Sequence, residues 1–244
     1  MARYQIILAY EGTHFFGFQR QAATRTVQLS VEQALRRLGW EGSAILYAGR
    51  TDAGVHAEGQ VIAFDLDWRH SPEALGRAIN ANLPSDVAVR TVSEVSSDFH
   101  PRYDAKLRTY RYRIYCASER DPLQARFAWR VWPTVEEVLL RTAASLVIGT
   151  HDFKAFGRSL WEKGSTTRTV YLASWQPSNN GLEFTITANA FLYHMVRRVV
   201  YLQVLVGQRR LTLEQLSAGV TMGGDLPPGL APAQGLTLSN VRYS

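Results

Sequence analysis

The stretch Gly49-Arg50-Thr51-Asp52-Ala53-Gly54-Val55-His56 places one carboxylate between an arginine and two glycines. Glycines flanking a polar tetrad let the backbone turn sharply and let another molecule approach closely. Arg50 stands near enough along the chain to favour the ionised form of Asp52. Such a turn can present a single charged side chain at the mouth of a site, and it equally suits a surface turn in which an aspartate caps its own backbone. A second candidate group lies at 189–198, where His194 and Arg197 stand three apart and so share one side of a helix. An arginine on a helix surface, taken alone, is usually solvated. Tyr110 belongs to the alternation Arg108, Tyr110, Tyr112, Ile114, which on its own reads as strand packing.

Other chemistries have no residues to carry them. Cys116 is the only cysteine, which excludes a disulfide framework and any zinc site built on paired cysteines. The histidines at 14, 56, 70, 100, 151 and 194 form none of the helical pairs that grip metals. There is no P-loop and no Gly-rich dinucleotide fingerprint. We therefore expect no metal and no small-molecule cofactor.

A net charge of +6 and a pI near 9.6 suggest a polyanionic partner. Of 27 basic residues only Lys106, Lys154 and Lys163 are lysine, and the rest are arginine. The flat guanidinium grips phosphates in pairs and stacks on bases, so the bias suits a nucleic-acid binder, although a GC-rich genome gives the same bias. No apolar run approaches the roughly 18 residues that cross a bilayer, and Met1 to Tyr10 lacks the apolar block of a signal peptide. The expected location is cytoplasmic.

The elements that must hold these residues follow from periodicity. Arg3 to Tyr10 alternates as a strand, and a polar loop rich in aromatics follows through Arg25. Thr26 caps a helix in which Val27, Val31, Ala34, Leu35 and Leu38 recur at helical spacing. Short strands over 44–49 and 59–65 bracket the Asp52 turn. Ser71 and Pro72 open a second helix, and 87–95 is the next strand. The second half repeats the order. It has a strand over 106–117, a helix opened by a Thr134 to Glu137 capping box, and strands over 167–176 and 182–188. A helix capped by Asn189 runs to about Val206, Thr212 begins a shorter helix, and a strand over 236–242 closes the half. The fold class expected is α+β, with two ferredoxin-like β-α-β-β-α-β halves side by side, at 1–104 and 105–244, and the seam near Ser97 to Asp104. A cleft between the halves is the expected ligand site, lined by the Asp52 turn.

Together these segments resemble the TruA-type family of tRNA pseudouridine synthases over most of the chain. Gly49 to His56 resembles that family's catalytic signature, with Asp52 as its aspartate. Ala188 to Arg197 is similar to the second family block, and Arg108 to Tyr115 to the strand block with an active-site tyrosine. Supporting likenesses are Tyr10 to Gln21, Asn80 to Pro84, Phe99 to Tyr103 and Ala231 to Leu236. Phe18 stands where tryptophan is common, Thr237 replaces a frequent aromatic, and 156–168 is short.

The resemblance implies isomerisation of uridine at nucleotide positions 38 to 40 in the anticodon arm of tRNA, by a homodimer acting on a flipped base. It implies Asp52 as the nucleophile and Arg197 as the cation that keeps it charged. It also implies Tyr110 as a stacking ring with a proton role. Arg50, Arg20, Arg25 and His56 are the further expected substrate contacts, with Phe15, Phe16 and Phe18 near the loop arginines. Attack on the base, attack on the ribose and assisted formation of an unsaturated sugar all stay open for Asp52. The competing reading is a non-catalytic RNA-binding protein of the same two-domain architecture. Against it, Arg108 to Tyr115 lacks the Gly-aromatic pattern of RNA-recognition motifs, and a pure binder would gain little from a glycine-framed aspartate that repels phosphate. A methyltransferase would need the cofactor loop that is missing.

Overall fold

The computed structural model describes residues 1–160 and 164–244. Trp161, Glu162 and Lys163, inside the segment expected to be short, lie outside the described residues. In chain order the elements are β1 (Ala2–Tyr10), α1 (Val27–Arg36), β2 (Leu46–Tyr47), β3 (His56–Leu66), α2 (Pro72–Asn80), β4 (Val87–Val95) and β5 (Leu107–Cys116). There follow β6 (Trp129–Val131), α3 (Glu137–Ser145), β7 (Gly149–Asp152), β8 (Thr167–Ser178), β9 (Gly181–Ala188), α4 (Met195–Gly207), α5 (Leu213–Thr221) and β10 (Leu236–Arg242). The chain is a mixed α+β fold with two compact units, Met1–Lys106 with Thr237–Ser244 and Leu107–Leu236.

In the first unit β1 pairs antiparallel with both β3 and β4, and β2 pairs antiparallel with β3. The order β4-β1-β3-β2 is that of a ferredoxin-like sheet. Alternation decides which face of β1 is buried: Tyr4, Ile6, Leu8 and Tyr10 point inward. β3 reads instead as an almost continuous buried run, because both of its faces are covered. Asn80, at the end of α2, brackets Val89 with two hydrogen bonds of 2.7 and 3.0 Å. They serve the backbone where the β1–β4 register slips. β10 forms with the expected bounds, and its first residues pair in parallel with β3, Thr237 opposite His56 and Leu238 opposite Ala57.

In the second unit β9 lies between β5 and β8, all antiparallel, with β7 beyond β8 and β6 parallel to β5. α3 packs on α4 and on β8. The Trp175 indole of β8 donates to the buried Gln203 of α4 at 2.7 Å.

Three of the expected caps form. Thr26, Ser71 and Thr212 each accept a backbone N–H of the first turn, and Thr212 completes a capping box with Gln215. Two helix starts differ from expectation. α3 begins at Glu137 without a side-chain cap, because Glu136 is drawn away into an ion pair with Arg209 while its N–H bonds Gly207. α4 begins at Met195 rather than near Asn189. Residues 190–194 are held off the helix by a backbone bridge between Tyr193 and Arg158. Gly157 permits that bridge, since a Cβ there would lie 2.6 Å from the Tyr193 carbonyl oxygen. Asn189 clips strands instead, its amide oxygen accepting from Thr169 and Ala190. Among the described residues no helix is long and apolar enough to cross a membrane.

Candidate active site

The Asp52 turn is built from below by the end of β1 and from the side by the loop that follows it. Tyr10 and Thr51 share a buried hydroxyl contact of 2.8 Å, and the fully buried Gln60 of β3 donates to the Gly49 carbonyl at 2.8 Å. The loop then clasps the turn through its backbone: Phe18 N donates to Thr51 O at 3.1 Å, and Gly54 N to Phe15 O at 3.2 Å. Phe15 and Phe18 are buried beneath it. Asp52 itself is half-buried, and its carbonyl accepts from Val55 N at 3.2 Å, closing the turn.

The flanking glycines are not equivalent. Gly54 has φ near +78°, a left-handed value that a side chain resists, whereas a Cβ on Gly49 would meet nothing within 4 Å. Gly12, on the clasping loop, is in close contact with the turn: a Cβ there would lie 2.0 Å from the Val55 carbonyl oxygen. Burial pushes the Tyr10 phenol up to about 12, opposed by its hydrogen bonds to Thr51 and Gln60. That hydroxyl therefore stays protonated and acts as a fixed dipole under the turn.

The other expected contacts of the first unit fall around this platform in different ways. Arg50 is exposed, and its Nε donates to the Tyr47 hydroxyl at 3.3 Å. His56 is buried at the start of β3, where Nδ1 accepts the Gly12 N–H at 2.9 Å, so the ring proton sits on Nε2. His56 thus orients the clasping loop. Arg25 lies 4.1 Å over the Phe15 ring and forms a two-pronged pair with Asp86 at 2.7 and 2.8 Å. Arg20 is committed to Glu32, a carboxylate with no exposed surface that also accepts from Gln28 and from the Ile45 N–H. In the free protein both loop arginines therefore neutralise carboxylates.

The second unit carries Tyr110 and Arg197. Tyr110 lies on β5 opposite Ile186, half-buried, and the Phe191 ring meets it edge-on at 5.0 Å. That contact fixes the ring plane. Arg197 lies in the first turn of α4, and it grips one residue twice: Nε donates to the Ala231 carbonyl at 2.8 Å, and its own carbonyl accepts from Ala231 N at 3.2 Å. Burial pushes the pKa of the Tyr112 phenol well above its ordinary value, and the charge of Arg197 works against that rise. Tyr112 donates to the Pro232 carbonyl at 2.7 Å. His194 is not a helical neighbour of Arg197. It holds φ near +67° at the cap and stacks on Tyr193 at 3.7 Å.

Sequence reasoning missed Tyr10, Thr51, Gln60 and Tyr112 as supports. A signal existed for Tyr10, since it ends an alternating strand just before the aromatic loop, and for Thr51, which adjoins Asp52. Among the described residues, no group of three or more His, Cys, Asp or Glu side chains is placed to hold a metal ion.

The family model described as tRNA pseudouridine synthase matches residues 6–104 and 143–244. The chain is 38% identical over 244 residues to a tRNA pseudouridine synthase A of Geobacillus sp. (strain WCH70), covering 99% of this chain and 98% of the relative. It is 41% identical over 244 residues to the protein of that name from Chloroflexus aurantiacus (strain ATCC 29366 / DSM 635 / J-10-fl), covering 98% and 87%. The Streptococcus agalactiae serotype III (strain NEM316) protein of that name is 37% identical over 248 residues, covering 100% and 96%.

Proposed function

We propose that this chain, which belongs to the tRNA pseudouridine synthase family, isomerises uridine to pseudouridine at nucleotides 38 to 40 in the anticodon arm of tRNA, with Asp52 as its nucleophile. The observation that carries the reading is the Asp52 turn: a half-buried carboxylate on a backbone clasped by the loop after β1 and underpinned by Tyr10, Thr51 and Gln60. A site that must hold a reacting atom to within a fraction of an ångström needs such support.

The reaction breaks the glycosidic bond to nitrogen, turns the base while it is held, and joins carbon 5 to the ribose. Nothing is added or lost, so no redox group or activated donor is required. A uridine in a stem must first be flipped out, at a cost of about a few kcal/mol. Arg50, exposed beside Asp52, is suited to fill the gap or to hold the flipped phosphate. Asp52 must then react as the anion, for which Arg197 is the guanidinium partner. Tyr110, its ring plane set by Phe191, covers a face of the base and lies near the proton leaving carbon 5. Water has to be kept out, because a captured sugar intermediate would otherwise hydrolyse. The active species is a homodimer gripping one tRNA.

The test is incubation of the purified protein with unmodified tRNA transcripts, followed by mass-resolved mapping of uridine isomers. Pseudouridine confined to positions 38 to 40 is expected. Tight binding without isomer formation would instead establish an RNA-binding protein, and isomers elsewhere would refute the positional assignment. Sedimentation at micromolar concentration tests the dimer.

A further inference from the structure

Arg198 follows Arg197 on α4, yet it behaves unlike a surface arginine. Its guanidinium is half-buried and donates to three backbone carbonyls, those of Leu226 at 3.2 Å, Pro227 at 2.5 Å and Gly229 at 2.9 Å. Its pKa is lowered by that burial. A fork with several donors is one of the few side chains able to satisfy three carbonyls of one loop at once.

The loop it captures leads straight to the residue that orients Arg197. Two residues beyond Gly229 stands Ala231, whose carbonyl accepts from Arg197 Nε and whose N–H returns to the Arg197 carbonyl. Pro227 and Pro228 fix φ within the captured stretch, and only Leu230 separates the captured Gly229 from Ala231, so little chain is left between them. Tyr112 pins the far side through Pro232. The segment 226–232 is thus fastened at both ends, with the Arg197 contact between the fastenings.

We propose that Arg198 is a positioning residue for Arg197: by holding the carbonyls of Leu226, Pro227 and Gly229 it fixes the Ala231 carbonyl that aims the Arg197 guanidinium. This rests on the reading of Arg197 as a participant in uridine isomerisation. Arg198 acts with its charge turned inward, on backbone, and needs no contact with RNA. Tyr112 does the same from the other end.

The experiment is steady-state kinetics of the full chain on unmodified tRNA transcripts, with thermal unfolding recorded for every variant. Arg198→Met, which keeps the stem and removes the donors, is expected to lower kcat by about 10²-fold, the scale of an ångström's misplacement, with KM within about threefold of wild type. Arg198→Lys, whose ammonium reaches some of the same carbonyls, should recover part of that loss. Tyr112→Phe, nearly isosteric, should lower kcat by about tenfold, again without a change in KM; it carries the test if Arg198→Met does not fold. Unchanged kcat in both Arg198→Met and Tyr112→Phe would overturn the proposal. So would a loss confined to KM, which would make Arg198 a phosphate ligand. Full turnover by Arg197→Lys would overturn the reading of Arg197, and this proposal with it; the expected loss there with normal Arg198 and Tyr112 variants would sink the positioning role alone.

Discussion

Tyr10 Oη and Thr51 Oγ1 lie 2.8 Å apart in a buried pair, so the turn carrying Asp52 is pinned to the end of β1 by a single hydroxyl contact. Tyr10→Phe leaves Thr51 with an unsatisfied buried oxygen, at a cost of about 1–2 kcal/mol, whereas the double variant Tyr10→Phe with Thr51→Val removes both partners and should be closer to neutral. Urea unfolding of the three proteins checks the order. Turnover should fall in both variants, because Thr51 precedes Asp52 in the chain. Equal stability of Tyr10→Phe and wild type would show that the contact contributes nothing.

The same phenol sets an alkaline limit. Its folded pKa is about 12 against an ordinary value of 10.0, so the unfolded chain releases this proton first as pH rises. The stability it contributes is fully present below pH 10 and is lost between pH 10 and about 12, at up to about 1.4 kcal/mol per pH unit. Tyr10→Phe should therefore show a shallower decline over that window. Parallel declines in chemical-denaturation midpoints would remove Tyr10 as the cause.

How much of this was legible in the sequence depended on how local each signal was. Thr26, Ser71 and Thr212 cap their helices because the bonds they make reach only three residues ahead. The start of α4 was misjudged because the competitor is distant: Arg158 bonds Tyr193 and holds 190–194 off the helix, and only the folded chain brings those residues together. Arg20 and Arg25 illustrate the same limit at the site. Their side chains invite a phosphate reading, while Glu32 and Asp86, 12 and 61 positions along the chain, already occupy them. The turn that carries Asp52 was legible because its glycine-framed residues are contiguous. The Tyr10, Gln60 and Gly12 supports come from other segments and carry no spacing that points to it.

The glycines of the site separate conformational need from mere proximity. Gly12→Ala drives a methyl into the Val55 carbonyl, with no flexible side chain to yield, and should cost about 3 kcal/mol and most of the activity. Gly49→Ala meets open space and should leave the unfolding free energy within about 0.5 kcal/mol of wild type. Thermal melts of the pair decide the matter, and comparable losses would mean that the clasp does not define the turn.

Arg25 offers a test of whether an intramolecular pair restrains RNA binding. Its fork is held by both oxygens of Asp86. If Arg25 meets a phosphate, Asp86→Asn frees the guanidinium and should tighten tRNA binding severalfold at low salt, while Arg25→Ala should weaken binding and reduce the salt slope by about one. Filter binding across a salt series reads both. Identical slopes for Arg25→Ala and wild type would confine Arg25 to its ion pair with Asp86.

The proposed chemistry requires a carboxylate and a guanidinium for different reasons, so their variants should fail differently. Asp52→Asn keeps the size of the side chain while removing the negative charge and the nucleophile and turning one acceptor oxygen into a donor. The turn is held chiefly through backbone and through Thr51, so it should survive the change. Binding of tRNA should stay within about threefold, and isomerisation should fall by at least about 10⁴-fold, below what single-turnover mapping detects. Arg197→Lys keeps the charge but replaces a planar fork by one ammonium, which cannot both bond the Ala231 carbonyl and present a second edge. Its loss should be smaller, about 10²-fold in kcat, with folding intact. Turnover by Asp52→Asn would remove Asp52 from its role. A weakened affinity in Arg197→Lys with normal turnover of bound RNA would turn Arg197 into a phosphate ligand.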